Sequence, residues 1–147
     1  MKLFSFCSVL LSAFLLTSCA SFEKQWDAAV ADYQSGAVKT PEGPWTGSWT
    51  TSTNGHTGDL RAIVKESPGK PGHYSFRYHA TWANFLSGTY NVTYPVTKSG
   101  GTYLVDGEQK LGFFGTFRHK GTIQGNSFQA TYSNDKGDLG AFRLRRP

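Results

Sequence analysis

The stretch YSFRYHA, residues 74–80, alternates large apolar and polar side chains at every second position. Tyr74, Phe76, Tyr78 and Ala80 share one face; Ser75, Arg77 and His79 share the other. This period of two marks a strand with one buried face, since a helix would spread the same aromatics around its axis. The alternation continues in both directions. Upstream, WTGSWT sets Trp45, Gly47 and Trp49 together, and LRAIV sets Leu60, Ala62 and Val64 against Arg61 and Ile63. Downstream, YNVTYPV aligns Tyr90, Val92, Tyr94 and Val96, and TYLVDG, GTFRHKG, SFQATYS and AFRLRR follow. Eight short strands result. The segments between them, TNGH, SPGKPG, WANFLSG, KSGG, KLGFFG, TIQGN and NDKGD, mostly carry glycine, as hairpin turns do.

Eight sequential antiparallel strands with one apolar face either close into an up-and-down barrel or form a meander sandwich. Closure removes both sheet edges, so the expected fold is all-β: an eight-stranded antiparallel up-and-down β-barrel over residues 44–147. Ahead of it, Phe22, Trp26, Ala29, Val30 and Tyr33 recur at helical spacing among Glu23, Lys24, Asp27 and Asp32. One short amphipathic helix is predicted from Phe22 to Gln34, ended by Gly36, with AVKTPEGP as linker because Pro41 and Pro44 exclude further helix. Its acidic polar face favours packing on the outside or across one end of the barrel over lying in a bilayer interface.

The first residues read as an export signal: Lys2, then the apolar LFSFCSVLLSAFLL, too short to span a membrane, then small residues. Leu16, Thr17, Ser18 and Cys19 resemble a bacterial lipobox. That resemblance implies a signal peptide over residues 1–18, cleavage before Cys19, and a lipidated N-terminal segment over residues 19–43. Ala20 in place of an aspartate after the cysteine implies sorting to the outer membrane of the cell envelope. Cys7 would leave with the signal and Cys19 would carry the acyl chains, so the domain is expected to hold no disulfide and no thiolate metal site.

The chain carries a formal charge of +5, and residues 44–147 hold twelve basic and six acidic side chains. Lys65, Lys70, Lys98, Lys110, Lys120 and Lys136 are dispersed near turns and strand ends, the pattern of a soluble surface and not of a nucleic-acid footprint. A monomer without nucleic-acid partners is expected.

GPWTGSW at the head of the first strand resembles the G-x-W opening of lipocalins and other calycin-like barrels. FRLRRP at the end supplies an arginine of the kind that covers this tryptophan in those folds. A lipocalin's second motif and C-terminal helix have no counterpart. With NGHTGDL, YHATW and GTY, the chain also looks like secreted bacterial proteins of one small barrel each. The resemblance implies a calycin-like fold, which is compatible with ligand binding, inhibition, isomerase chemistry or a packed scaffold.

Strand alternation places the first, third, fifth and seventh connections at one end. Trp82, Phe85, Leu86, Leu111, Phe113 and Phe114 should therefore meet on one rim, either as a portal or contact patch or as a plug. The residues expected to line a ligand cavity are Trp45, Trp49, Tyr74, Phe76, Tyr78, Tyr90 and Phe128 inside, with Trp82, Phe85 and Phe114 at the mouth. The ligand would be small and apolar or amphipathic; the alternative is an interaction or structural module with a filled barrel, and an interior volume above about 300 Å³ favours the first. His56, Asp59 and His79 are the only grouping that suggests acid-base or metal work; His56 and His79 lie towards the same rim, but no third ligand converges on them, and His79 is expected to face solvent. Asp106 and Glu108 share a face and are expected to meet Arg77 or Arg118 in an internal network. No serine elbow, phosphate loop or HExxH motif occurs. No catalytic residue, metal or cofactor is assigned.

Overall fold

The computed structural model describes residues 21–83 and 85–147, so the signal segment, Cys19 and its lipidation lie outside the described residues. A helix α1 occupies residues 21–34. Eight strands follow: β1 Gly43–Thr51, β2 Thr57–Glu66, β3 His73–Trp82, β4 Leu86–Ser99, β5 Thr102–Lys110, β6 Thr116–Gln124, β7 Ser127–Asn134 and β8 Leu139–Arg145. Each pairs antiparallel with its neighbours, and β8 returns to β1 to close the barrel. Among the described residues no helix is long and apolar enough to cross a membrane.

Registration follows the alternation read from the sequence. Leu60, Ala80 and Gly88 align across β2, β3 and β4, as do Ala62, Tyr78 and Tyr90, and these positions point inward. The shortest ladder lies between β4 and β5, whose pairing is confined to the four partners from Val96↔Val105 to Ser99↔Thr102. Beyond it the strands separate, and the Gln109 side chain bridges them by accepting a hydrogen bond from the Thr93 N–H at 2.8 Å. Gly107 is needed here, because an added Cβ would stand 2.4 Å from the Tyr94 ring.

One end of the barrel is sealed. Trp45 is fully buried and its indole N–H donates to the Pro41 carbonyl at 3.0 Å. The Arg146 guanidinium carbon lies 3.8 Å from the Trp45 ring centroid and 4.5 Å from that of Tyr33. The same guanidinium donates to the carbonyls of Pro44 at 3.0 Å and Glu42 at 2.7 Å, and to Thr40 Oγ1 at 3.2 Å. The arginine anticipated over the first-strand tryptophan is thus Arg146.

Helix α1 lies on the outer wall of β2 and β3. Phe22 and Ala29 are buried with Ile63, an outward-facing residue whose apolar side chain is explained by this cover. Phe22 stacks on His79 at 4.8 Å, and Arg61 lies 5.0 Å from the Phe22 ring and 5.1 Å from that of Trp26 while pairing with Glu23. His79 is consequently buried beneath the helix and not in solvent, which corrects the expectation from its face alone. Asp106 and Glu108 also depart from expectation. Val105 points into the core, so its neighbours point out, and the two carboxylates form exposed cross-strand pairs with Lys120 at 3.7 Å and Arg118 at 3.2 Å.

Candidate functional site

The barrel interior is filled over only part of its depth. Next to Trp45 stands Phe128, 5.8 Å away edge-on, and Phe76 lies 5.9 Å from both Phe128 and Tyr94. Above them Tyr78 stacks 6.1 Å from Phe76 and 5.1 Å from Tyr90. Trp45, Phe76, Tyr78 and Phe128, four of the candidate ligand residues, therefore pack on one another as a floor. Tyr74 is half-buried towards the sealed end, opposite Tyr94 in the β3–β4 register.

Above this floor lies a cavity of about 330 Å³, reached from the end carrying the first, third, fifth and seventh connections. Trp49, Leu60, Ala80, Trp82, Tyr90, Leu111, Phe117 and Phe142 supply its apolar wall, and Thr89, His119, Tyr132 and Asp138 its polar groups. Of the other candidates, Trp49, Tyr90 and Trp82 line this cavity. Phe85 stands on the rim, 83% exposed. Phe114 lies in the 3-10 turn Gly112–Phe114, and its side chain is outside the described residues. Two wider depressions on the outer wall of β5–β8, of about 510 and 640 Å³, are more open to solvent.

The wall is set by local chemistry. The Trp49 indole N–H donates to the Thr81 carbonyl at 3.0 Å, reaching from β1 to β3 across β2. Only glycine permits this at position 58, where a Cβ would stand 1.8 Å from the Thr81 oxygen and 2.7 Å from the indole nitrogen. The bond fixes the tryptophan against the wall and leaves the lumen clear.

His119 is the residue that the sequence reading missed. It shares a face with Phe117 and Gly121 in TFRHKG, which was the available signal. Its Nδ1 shares a short hydrogen bond with the Tyr94 hydroxyl, and the ring lies 6.0 Å from Tyr78 and 4.9 Å from Tyr94. Burial pulls the His119 imidazole down to about 4 and pushes the Tyr94 phenol up. Both are neutral at pH 7, a pair suited to fixing a polar contact and not to exchanging charge. His56 and Asp59 are exposed while His79 is under α1, and among the described residues no three His, Cys, Asp or Glu side chains converge on a metal-sized site.

The fold and site together define a closed up-and-down β-barrel, sealed at one end and open at the other as an aromatic-lined cup. No protein-family model and no curated protein matches the chain. Among solved structures it is similar to a redesigned β-barrel, with a TM-score of 0.51 and 14% identity over 72% of this chain and 90% of that one. A de novo designed fluorescence-activating β-barrel gives 0.49 and 14% over 72% and 93%. Fatty-acid-binding protein 1 of Echinococcus granulosus gives 0.33 and 14% over 61% and 74%. At such identities the likeness is one of barrel fold alone.

Proposed function

We propose that the protein is a lipoprotein of the bacterial envelope, held at the outer membrane through a lipidated Cys19, whose barrel takes a small apolar or amphipathic molecule into its open end. The observation carrying the ligand reading is the half-filled interior: a well-packed floor beneath an apolar cavity of about 330 Å³. Such a volume is at the lower end of the range of small-molecule sites, matching a small ligand or the end of a longer chain. A neutral environment-sensitive dye such as Nile red is expected to bind at one saturable site. Ala80→Phe, which projects a ring from β3 into the cavity, should weaken that binding at least about tenfold, or ~1.4 kcal/mol, with the thermal midpoint retained. Dye binding indifferent to Ala80→Phe would refute the cavity as the site.

The second reading, an interaction module, is favoured by Phe85 and Phe113, which stand 83% and 86% exposed at the rim. Exposed apolar side chains gathered at one end mark contact with a partner or membrane. Dye held on the rim, unaffected by filling the cup, would support it.

The anchor rests on Leu16, Thr17, Ser18 and Cys19. Cys19→Ser is expected to abolish palmitate labelling and leave the precursor uncleaved; normal labelling of that variant would refute lipidation at Cys19. With two or three acyl chains the attachment would be permanent on the timescale of ligand exchange.

A further inference from the structure

The electrostatics of the cup select among amphipathic ligands, an inference that rests on the mouth being a binding site. Among the described residues lining it, Asp138 is the single acidic side chain, and no lysine or arginine is present. The turn between β7 and β8 holds the carboxylate in place. Asp138 Oδ1 accepts from Thr51 Oγ1 at 2.9 Å, and the Asp138 N–H donates to Asn134 Oδ1 at 2.9 Å. Lys136 of the same turn stays outside the lining, donating to the Phe113 carbonyl on the rim with its ammonium 4.4 Å from the Phe113 ring centroid. His119, the one basic side chain among the described residues of the lining, is neutral because it is buried. Asp138 contributes, after burial, to raising the Tyr132 phenol, so its field reaches the lining.

The rest of the wall suits the opposite charge. Trp49, Trp82, Tyr90, Phe117 and Tyr132 supply aromatic rings, whose faces are electronegative and attract organic cations. An entering carboxylate would meet a fixed negative charge, lose its hydration and gain no cationic partner. The basic character of the barrel acts through outward side chains, screened over about 8 Å at physiological salt, whereas Asp138 borders the ligand directly.

We propose that the cup takes an apolar molecule bearing an organic cation, an alkylamine or quaternary ammonium, and discriminates against alkyl carboxylates of equal length. The apolar body would lie against Leu60, Ala80, Leu111 and Phe142, with the cationic end towards Asp138.

The test compares octyltrimethylammonium, 1-octanol and octanoate by titrating tryptophan fluorescence, to which Trp49 and Trp82 should respond. At neutral pH the cation is expected to bind about tenfold more tightly than octanoate, the sum of a cation–π contact and one partly screened charge interaction. Asp138→Asn keeps the oxygen that accepts from Thr51 and should bring the ratio to within about twofold. Raising salt from about 0.15 M to about 1 M should narrow it in the unaltered protein, a check independent of how the variant folds. Octanoate binding as tightly as the cation, with octanol also bound, would overturn the charge selection and leave the apolar cavity intact. A preference undiminished in Asp138→Asn would overturn the role given to that carboxylate. If none of the three binds, the cavity reading falls and this inference with it.

Discussion

Trp45→Ala is expected to destabilise the barrel by about 3–5 kcal/mol. The indole is fully buried, meets Phe128 edge-on at 5.8 Å, and donates to Pro41. Truncation opens a void in the floor and also removes the ring beneath Arg146, whose guanidinium is buried and whose Nε has no hydrogen-bond partner. A buried charge stripped of one contact adds to the cavity cost. For a domain of this size the thermal midpoint should fall on the order of 10–20 °C. Trp45→Phe, which keeps a ring under the guanidinium but loses the bond to Pro41, should cost much less. Equilibrium unfolding in urea measures both. A loss below about 1 kcal/mol for the alanine variant would show that the sealed end does not carry the core.

Acid should weaken the fold through His119 before most carboxylates titrate. Burial holds its folded-state value at about 4, below the 6.5 of a free imidazole. The unfolded chain therefore takes up a proton first as pH falls, so stability is complete above about 6.5 and declines towards about 4. The gap corresponds to a loss on the order of 3 kcal/mol. His79, lowered by burial under Phe22 and by Arg61, works in the same direction. His119→Gln, which keeps an acceptor for Tyr94, should flatten this part of the profile of urea midpoint against pH. An unchanged slope in that variant would mean that His119 is solvated and titrates normally.

The two histidines show what strand alternation can and cannot convey. The pattern YSFRYHA puts His79 outside the barrel, and it is outside. Its burial comes from a separate element, since Phe22 reaches it from 57 positions upstream and no local period encodes that contact. His119 is the converse. Its place beside Phe117 and Gly121 was legible, but its pairing with Tyr94 joins β4 and β6 across the lumen, a relation visible only once the barrel closes. Asp106 and Glu108 teach a similar lesson: Val105 assigns them outward, and the longing for an internal partner is met on the surface by Lys120 and Arg118.

By itself the sequence determined the number of strands, their turns, the inward set from Trp45 to Phe128, and the tryptophan awaiting an arginine. These depend on steric periods of two residues and on backbone freedom at glycine, both local properties. Only the tertiary structure decided how far the inward set fills the barrel. Occupancy is a sum of side-chain volumes within one closed wall, and the wall's path depends on the Gln109 bridge at the β4–β5 seam and on the Trp49 indole crossing Gly58. Large rings at Phe76, Tyr78 and Phe128 overlap towards one end, whereas Ala80 and Gly88 face the other, so the same alternating pattern yields a solid floor below an open cup.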